Sequence, residues 1–216
     1  SIGAPFGSNS KTGDARIAGT LASLCGLEHA LASESQENIE QSIQKIIMMQ
    51  AYTMFIGGLP MIFYGDEVGY TNDYSYKNDP AKSNDNRWVH RPLIDWDKNL
   101  LSQDSNTLEY IIFSRTQRLI KLRKYLPAIG DYKNLVWPTS QNKHIALFRR
   151  EHKGKILYGV FNFSQNKEKL TWYAFKENSV TPETLFDHWS EQEHTVRLDN
   201  EFLWLQPYQF FLFEVK

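Results

Sequence analysis

Gly57-Gly58-Leu59-Pro60-Met61-Ile62-Phe63-Tyr64-Gly65-Asp66-Glu67-Val68-Gly69 is the stretch on which the fold of this 216-residue chain turns. From Leu59 to Tyr64 the residues are apolar or aromatic without alternation, the pattern of a strand buried on both faces in a parallel sheet. Gly57-Gly58 stops whatever precedes the run, and Gly65-Asp66-Glu67 ends it with a turn and two acids. Such a strand cannot stand by itself, because both its edges carry backbone donors and acceptors that need partners.

Working upstream, residues 36–56 predict a helix. Ser33 or Ser35 serves as its cap, and Ile39, Ile43, Ile46 and Ile47 form one apolar stripe. From Tyr52 to Ile56 it is apolar all round, so its end is expected to be deeply buried. A shorter helix is expected from Arg16 to Leu27, capped by Thr12 or Asp14, after a loop over residues 1–14 rich in Gly, Ser, Pro and Lys.

Downstream, residues 69–103 are polar and aperiodic, which marks a functional or disordered stretch, and Trp88 and Trp96 argue for order. A third helix, from about Ser105 to Leu126, carries Leu108, Ile112, Leu119, Leu122 and Leu126 as its buried stripe and is stopped by Pro127. Beyond Gly130 the period becomes two. Strands are expected at Tyr132–Trp137, His144–Glu151, Lys155–Phe163, Lys169–Phe175, His194–Leu198, Phe202–Leu205 and Tyr208–Val215, spaced as in an antiparallel sandwich. The fold class is therefore α/β plus all-β, with residues 1–130 in the first part and 131–216 in the second. Two helices around one buried strand do not close into a domain, so the first part is expected to pair with polypeptide outside this sequence.

Composition narrows the function classes. A net charge of −1 gives no general field for nucleic acid or an anionic membrane. The basic group Arg115, Arg118, Lys121, Arg123 and Lys124 falls late in the third helix and reads as a solvated face complementing the helix dipole. The apolar run from Ile46 to Phe63 is about long enough to span a bilayer, but Gln50 and Gly57-Gly58-Leu59-Pro60 interrupt it, so no membrane partner is expected. Cys25 is the single cysteine, which excludes an internal disulfide and fits a reducing compartment, with a cytoplasmic location favoured over a secreted one. The opening Ser1-Ile2-Gly3-Ala4-Pro5 does not read as a natural N-terminus or as a signal peptide. Six scattered histidines show no metal-ligand spacing and there is no phosphate-binding glycine loop, so neither metal nor cofactor is expected. The 14% aromatic share serves core packing or stacking on sugar faces.

Gly58 to Gly69 resembles the segment around the eighth barrel strand of α-amylase-family enzymes, G-x-P-x-x-x-Y-G-D-E-x-G. Pro5-Phe6 and Thr12-Gly13-Asp14-Ala15-Arg16-Ile17-Ala18-Gly19-Thr20 look like the amylosucrase pattern before the seventh barrel helix. Asn72-Asp73-Tyr74-Ser75-Tyr76, Asp79-Pro80-Ala81-Lys82-Ser83, Asp85-Asn86-Arg87-Trp88 and His90-Arg91-Pro92 are similar to that group's eighth loop, and Leu205-Gln206-Pro207-Tyr208-Gln209 to its entry into the last sandwich strand. The resemblance covers essentially the whole chain. It implies the last portion of a (β/α)₈ TIM barrel followed by a C-terminal antiparallel β-sandwich. The implied parent enzyme transfers glucosyl units from sucrose to an α-glucan acceptor, or hydrolyses sucrose or another α-glucoside. A non-catalytic carbohydrate-binding or structural sandwich module is the alternative of another class.

Retaining glycosidases need two carboxyl groups roughly 5–5.5 Å apart. The resemblance puts both, and a third aspartate, upstream of these residues, so no catalytic residue is expected in the chain. Arg197-Leu198-Asp199 spells the R-x-D of the family's nucleophile but sits in the predicted sandwich. Asp66 and Glu67 are adjacent at a strand end, where side chains diverge, and the resemblance makes them structural anchors of the following loop. It also marks substrate-binding candidates. Arg87 is one, expected to ion-pair with an upstream carboxylate at the blind end of a glucosyl pocket, where a planar guanidinium binds bidentately. Arg16 is expected in the acceptor site, Asp14 and Phe6 are further substrate-binding candidates, and Trp88 is expected to pack beneath the loop.

Overall fold

The computed structural model describes residues 2–177, 180–197 and 202–216. The chain forms two compact units. One takes the residues up to Ile47 together with Met61–Thr116, and the other takes Met48–Pro60 and Gln117–Lys216.

The first unit opens with a small antiparallel ribbon, β1 (Ala4–Phe6) against β2 (Arg16–Ala18), with Phe6 opposite Arg16. Two short helices follow, α1 (Leu21–Leu24) and α2 (Leu27–Ala32). The single helix expected from Arg16 to Leu27 is thus a strand and two helical turns. The cap is Thr20, whose hydroxyl accepts from Ser23 N at 3.2 Å, and Gly26 at φ +100° breaks the two helices apart, a conformation other residues rarely adopt. Helix α3 (Gln36–Phe55) begins as expected, with Ser35 Oγ accepting from Asn38 N, and ends at Gly57 and Gly58, both at positive φ.

The expected strand at Leu59–Tyr64 does not form. The run has no regular secondary structure and no strand pairing, and its side chains are largely exposed: Leu59 is 94% and Met61 91% exposed. An apolar run becomes a buried strand only when neighbours supply hydrogen bonds and cover both faces, and no described strand lies beside it.

The aperiodic stretch after Gly69 is ordered through local side-chain bonds. Asp73 precedes its 3₁₀ turn at Ser75–Asn78 and Asp85 caps that at Asn86–His90, their carboxylates accepting from Ser75 N and Arg87 N. Asp95 caps α4 (Trp96–Leu100), accepting from Lys98 N at 3.0 Å. Asn72 ties the stretch to the N-terminal segment, donating to Ile2 O and accepting from Thr20 N. Helix α5 (Leu108–Tyr125) runs close to the expected range.

In the second unit, the five-stranded antiparallel sheet has the order β3-β4-β9-β6-β7. Its strands are β3 (Ile145–His152), β4 (Lys155–Asn162), β6 (Thr184–Asp187), β7 (Gln192–Thr195) and β9 (Phe210–Val215), while β5 (Glu168–Thr171) pairs with β8 (Phe202–Leu205). Leu170, Leu203 and Leu205 of the pair share one core with Tyr158, Val160, Phe211 and Phe213 of the five-stranded sheet. The other face of β4 is buried too. Phe161 stacks on Phe210 at 5.5 Å and takes the Tyr52 ring edge-on at 5.4 Å, and Gly159 leaves room for Phe148, whose ring a Cβ there would meet at 2.1 Å. Burial on both faces explains why β4 reads as a continuous apolar run.

Three expectations for this part change. Tyr132–Trp137 contributes only a bridge, Val136 to Arg149; β5 ends at Thr171, where a 3₁₀ turn takes over; and β6 was not predicted. Leu198 and Asp199 of the Arg197-Leu198-Asp199 match lie outside the described residues.

Arg150 joins the end of α3 to this unit. It is 1% exposed and donates to the carbonyls of Phe55, Ile56 and Asp131 and to Asn134 Oδ1. Arg123 donates to Met54 O and Gly58 O. Two guanidiniums thus satisfy the carbonyls that a helix C-terminus leaves open.

Candidate functional site

The ribbon of β1 and β2 carries Phe6 and Arg16 opposite each other, so both side chains emerge on the same face. Ala18, Tyr76 and Val89 form a small buried cluster, with Ala4, Phe6 and Trp88 packed against it. Asn86 locks the late loop onto this base. Its amide donates to Pro5 O at 2.7 Å and its carbonyl accepts from Tyr76 OH at 2.8 Å. The result is a concavity of ≈ 500 Å³ lined by Pro5, Phe6, Gly7, Arg16, Asn84, Asp85, Asn86 and Arg87.

Three of the four residues marked from the sequence, Phe6, Arg16 and Arg87, therefore meet at one surface although ten and seventy-one positions separate Arg16 from the other two. Asp14 does not line it; its backbone instead closes the turn at Asn9. Trp88 packs beneath the loop, between Lys82 and Arg91, whose cationic groups lie 5.1 and 4.9 Å from its ring.

Arg87 is exposed and its fork is filled by Asp85. Nε lies 2.9 and 3.0 Å from the two carboxylate oxygens and Nη2 lies 2.8 Å from Oδ2. This bidentate pair, with the Arg87 amide, holds the Asp85 carboxyl down at about 2. A second arginine and an aromatic ring on the facing wall make a surface able to take hydroxyl or carboxylate oxygens and one flat apolar face. The roles of Asp85 and Asn86 escaped the sequence reading. The signal for Asp85 was an Asp two residues before an Arg at a turn start; that for Asn86 exists only in three dimensions.

Asp66 and Glu67 sit in a 3₁₀ turn over Asp66–Val68, away from the concavity's lining. Asp66 accepts from Leu21 N at 3.4 Å, and burial pushes its carboxyl up to about 6 against the pull of backbone N–H groups. Burial likewise pushes the Cys25 thiol up to about 11, leaving it a packed and unreactive group. Glu67 Oε2 and His90 Nδ1 are buried without a hydrogen-bond partner. Among the described residues no cluster of acids, histidines and cysteine could hold a metal ion, and no helix is long and apolar enough to cross a membrane.

No protein-family model matches the chain. Solved structures do. The structure of AmyP in complex with maltose matches with a TM-score of 0.65 at 14% identity, over 84% of this chain and 36% of that one. The α-amylase from Geobacillus thermoleovorans complexed with acarbose gives 0.55 at 15%, over 83% and 36%. The R284C mutant of trehalulose synthase MutB gives 0.54 at 16%, over 80% and 38%. The chain thus spans a little over a third of the length of the structures it matches, which are α-amylase-family glycoside hydrolases. At these identities the likeness speaks of fold: the chain folds as the C-terminal region of α-amylase-family enzymes does.

Proposed function

We propose that the chain is the C-terminal part of a retaining, α-glucoside-acting glycoside hydrolase or transglucosylase of the amylosucrase kind. It supplies rim residues of a sugar pocket, while the catalytic carboxylates stand in the remaining polypeptide. The observation that carries this reading is the meeting of Phe6, Arg16 and Arg87 around one concavity. In the proposed parent, residues 1–130 end a (β/α)₈ barrel and 131–216 form a C-terminal β-sandwich. The exposed run Leu59–Tyr64 supports this, since it has the composition of a barrel strand and no described strand pairs with it. The partnerless Glu67 Oε2 and His90 Nδ1 support it too, because buried polar atoms are normally bonded.

In this reading Arg16 and Phe6 hold the acceptor glucan, by hydrogen bonds and ring contact, and Arg87 closes the donor subsite. Asp85 keeps the planar Arg87 fork oriented until the upstream carboxylate of the parent engages it. Asp66 and Glu67 anchor the loop after the barrel strand. Sucrose as donor follows from the motif resemblance alone. The second reading is an enzyme acting on α-glucans without sucrose, favoured by the maltose and acarbose bound in the matched structures.

The test incubates the chain and the full-length gene product with sucrose, and assays glucose, fructose and polymer. An active full-length enzyme beside an inactive chain supports the reading. Turnover by the chain alone would place a carboxylate pair within these residues and reopen Asp66 and Glu67. In the full-length enzyme Arg87→Ala is expected to lower kcat/KM for sucrose by roughly 10- to 100-fold, as loss of a bidentate charged contact does. Arg16→Ala is expected to raise KM for the acceptor and leave hydrolysis intact. Release of glucose from maltooligosaccharides with none from sucrose selects the second reading.

A further inference from the structure

Asn86 bonds in two directions from the turn that carries Arg87. Its Nδ2 donates to Pro5 O on β1 at 2.7 Å, and its Oδ1 accepts from Tyr76 OH at 2.8 Å. Tyr76 is 4% exposed and belongs to the cluster with Ala18 and Val89, so its phenol is a fixed point from which the amide is aimed. Pro5 is the neighbour of Phe6, and Phe6 pairs with Arg16. One amide thus ties the strands bearing Phe6 and Arg16 to the turn bearing Arg87, although Asn86 and Pro5 are 81 positions apart.

The ribbon needs that tie. Each of its strands has three residues, and a two-stranded ribbon is marginal in water by itself. Asn72 holds one end, just outside the Ala4–Ala18 pair, donating to Ile2 O at 3.1 Å and accepting from Thr20 N at 2.9 Å. Asn86 holds the end that carries Phe6 and Arg16. Arg87, by contrast, is fixed by Asp85, which accepts from both its fork and its backbone N–H. Loss of the Asn86 amide therefore frees the ribbon and leaves the Arg87 turn in place.

We propose that Asn86 is a positioning residue: its amide sets the spacing between the ribbon bearing Phe6 and Arg16 and the turn bearing Arg87, and through it the share of transfer over hydrolysis. The effect on transfer rests on the proposed function. There, the bond from the glucosyl carbon to the nucleophilic carboxylate breaks as a new C–O bond forms to an acceptor hydroxyl or to water, whose proton passes to the acid/base carboxylate. An acceptor hydroxyl competes with water only when it is held in line, and small misplacements cost much of that advantage.

The experiment follows glucose, fructose and polymer from sucrose in the full-length enzyme as acceptor glucan is varied. Asn86→Asp is isosteric, still accepts from Tyr76 OH and offers Pro5 O no donor. It is expected to raise the acceptor KM about five- to tenfold and lower the polymer-to-glucose ratio alike, with kcat falling less than about twofold. Asn86→Ala should do the same. Tyr76→Phe keeps the Pro5 tie, so its acceptor KM should stay within about twofold of the parent although it melts earlier. Acceptor KM values that follow melting temperature across the three variants would overturn the proposal, since a purely structural role gives that order.

Amide exchange over Arg16–Ala18, read by mass spectrometry, is expected to speed up about tenfold in Asn86→Asp and to match the parent in Tyr76→Phe. A parent that makes polymer, with an acceptor KM shared by Asn86→Asp, removes the positioning role and leaves the catalytic reading. A parent inactive on every α-glucoside removes the catalytic reading and the effect on transfer with it. Exchange then decides the tie: faster in Asn86→Asp alone supports it, and equal rates in all variants overturn it.

Discussion

Leu59-Pro60-Met61-Ile62-Phe63-Tyr64 and Ile156-Leu157-Tyr158-Gly159-Val160-Phe161 are alike as sequences: both are short, apolar and free of alternation. In the structure they are opposites. The second is a strand paired on both edges, to β3 and β9, with aromatic rings on each face. The first has no strand pairing and is largely exposed. The difference teaches that apolar composition states a demand for cover but does not say who meets it. For β4 the cover comes from β3, β5, β8, β9 and the end of α3, all within this chain. For the run after Gly58 no described strand supplies it, and the proposed barrel is the cover that suits it.

The strongest way to break this comparison attacks the buried side. Arg150→Leu leaves the carbonyls of Phe55, Ile56 and Asp131 without their donor, and the expected loss is about 3–4 kcal/mol in urea denaturation followed by tryptophan fluorescence. A loss under about 1 kcal/mol would mean that the end of α3 does not depend on β3. Gly159→Ala drives a Cβ into the Phe148 ring and should cost about 2–3 kcal/mol, read as a lower midpoint at unchanged slope.

Asp66 sharpens the exposed side, since it turns the chain just after the run. Its folded carboxyl titrates near 6 against 3.8 for the free group, because burial outweighs its hydrogen bonds. Below 3.8 the group is protonated whether folded or unfolded and costs nothing. As pH rises from 3.8 to 6 the unfolded chain ionises first, so stability falls, and above 6 the deficit stays constant. A shift of this size corresponds to about 3 kcal/mol, reduced to about 2 by partial solvation. Asp66→Asn should therefore gain on the parent by that amount between pH 4 and 7, in melts run side by side; a parallel pair of curves would remove the buried-carboxyl account.

The smallest effect is the most telling. Met61→Ser in this chain should change stability by less than about 0.5 kcal/mol, since the side chain already faces water. The same change in the full-length protein should cost about 2–3 kcal/mol if the run is a barrel strand there. Equal, small effects in both would count against the barrel.

Legibility followed the range of the forces involved. Helices α3 and α5 and strands β3, β4, β8 and β9 were readable because a one-faced or continuous apolar pattern survives in one dimension. The single helix read across Arg16–Leu27 failed because Gly26 breaks it and the Phe6–Arg16 pairing claims its start. Strand β6 was missed because its four residues are held by backbone partners on β7 and β9 rather than by any pattern of their own. Of the candidate site, Phe6, Arg16 and Arg87 came from motif resemblance, while Asn86, though it stands in one of the quoted motifs, showed its clamp on Pro5 only in the structure.

By itself the sequence determined the apolar stripes, the helix stops at Gly57-Gly58 and Pro127, the change to a two-residue period after Gly130 and the motifs that carry Phe6, Arg16 and Arg87. Those are local or periodic properties, written in neighbouring residues. Only the tertiary structure decided which apolar run is covered, that Arg150 and Arg123 cap α3, and that Asp85 fills the Arg87 fork. Each of these depends on groups brought together by hydrogen bonds and packing across many residues, and such distances are properties of the folded chain.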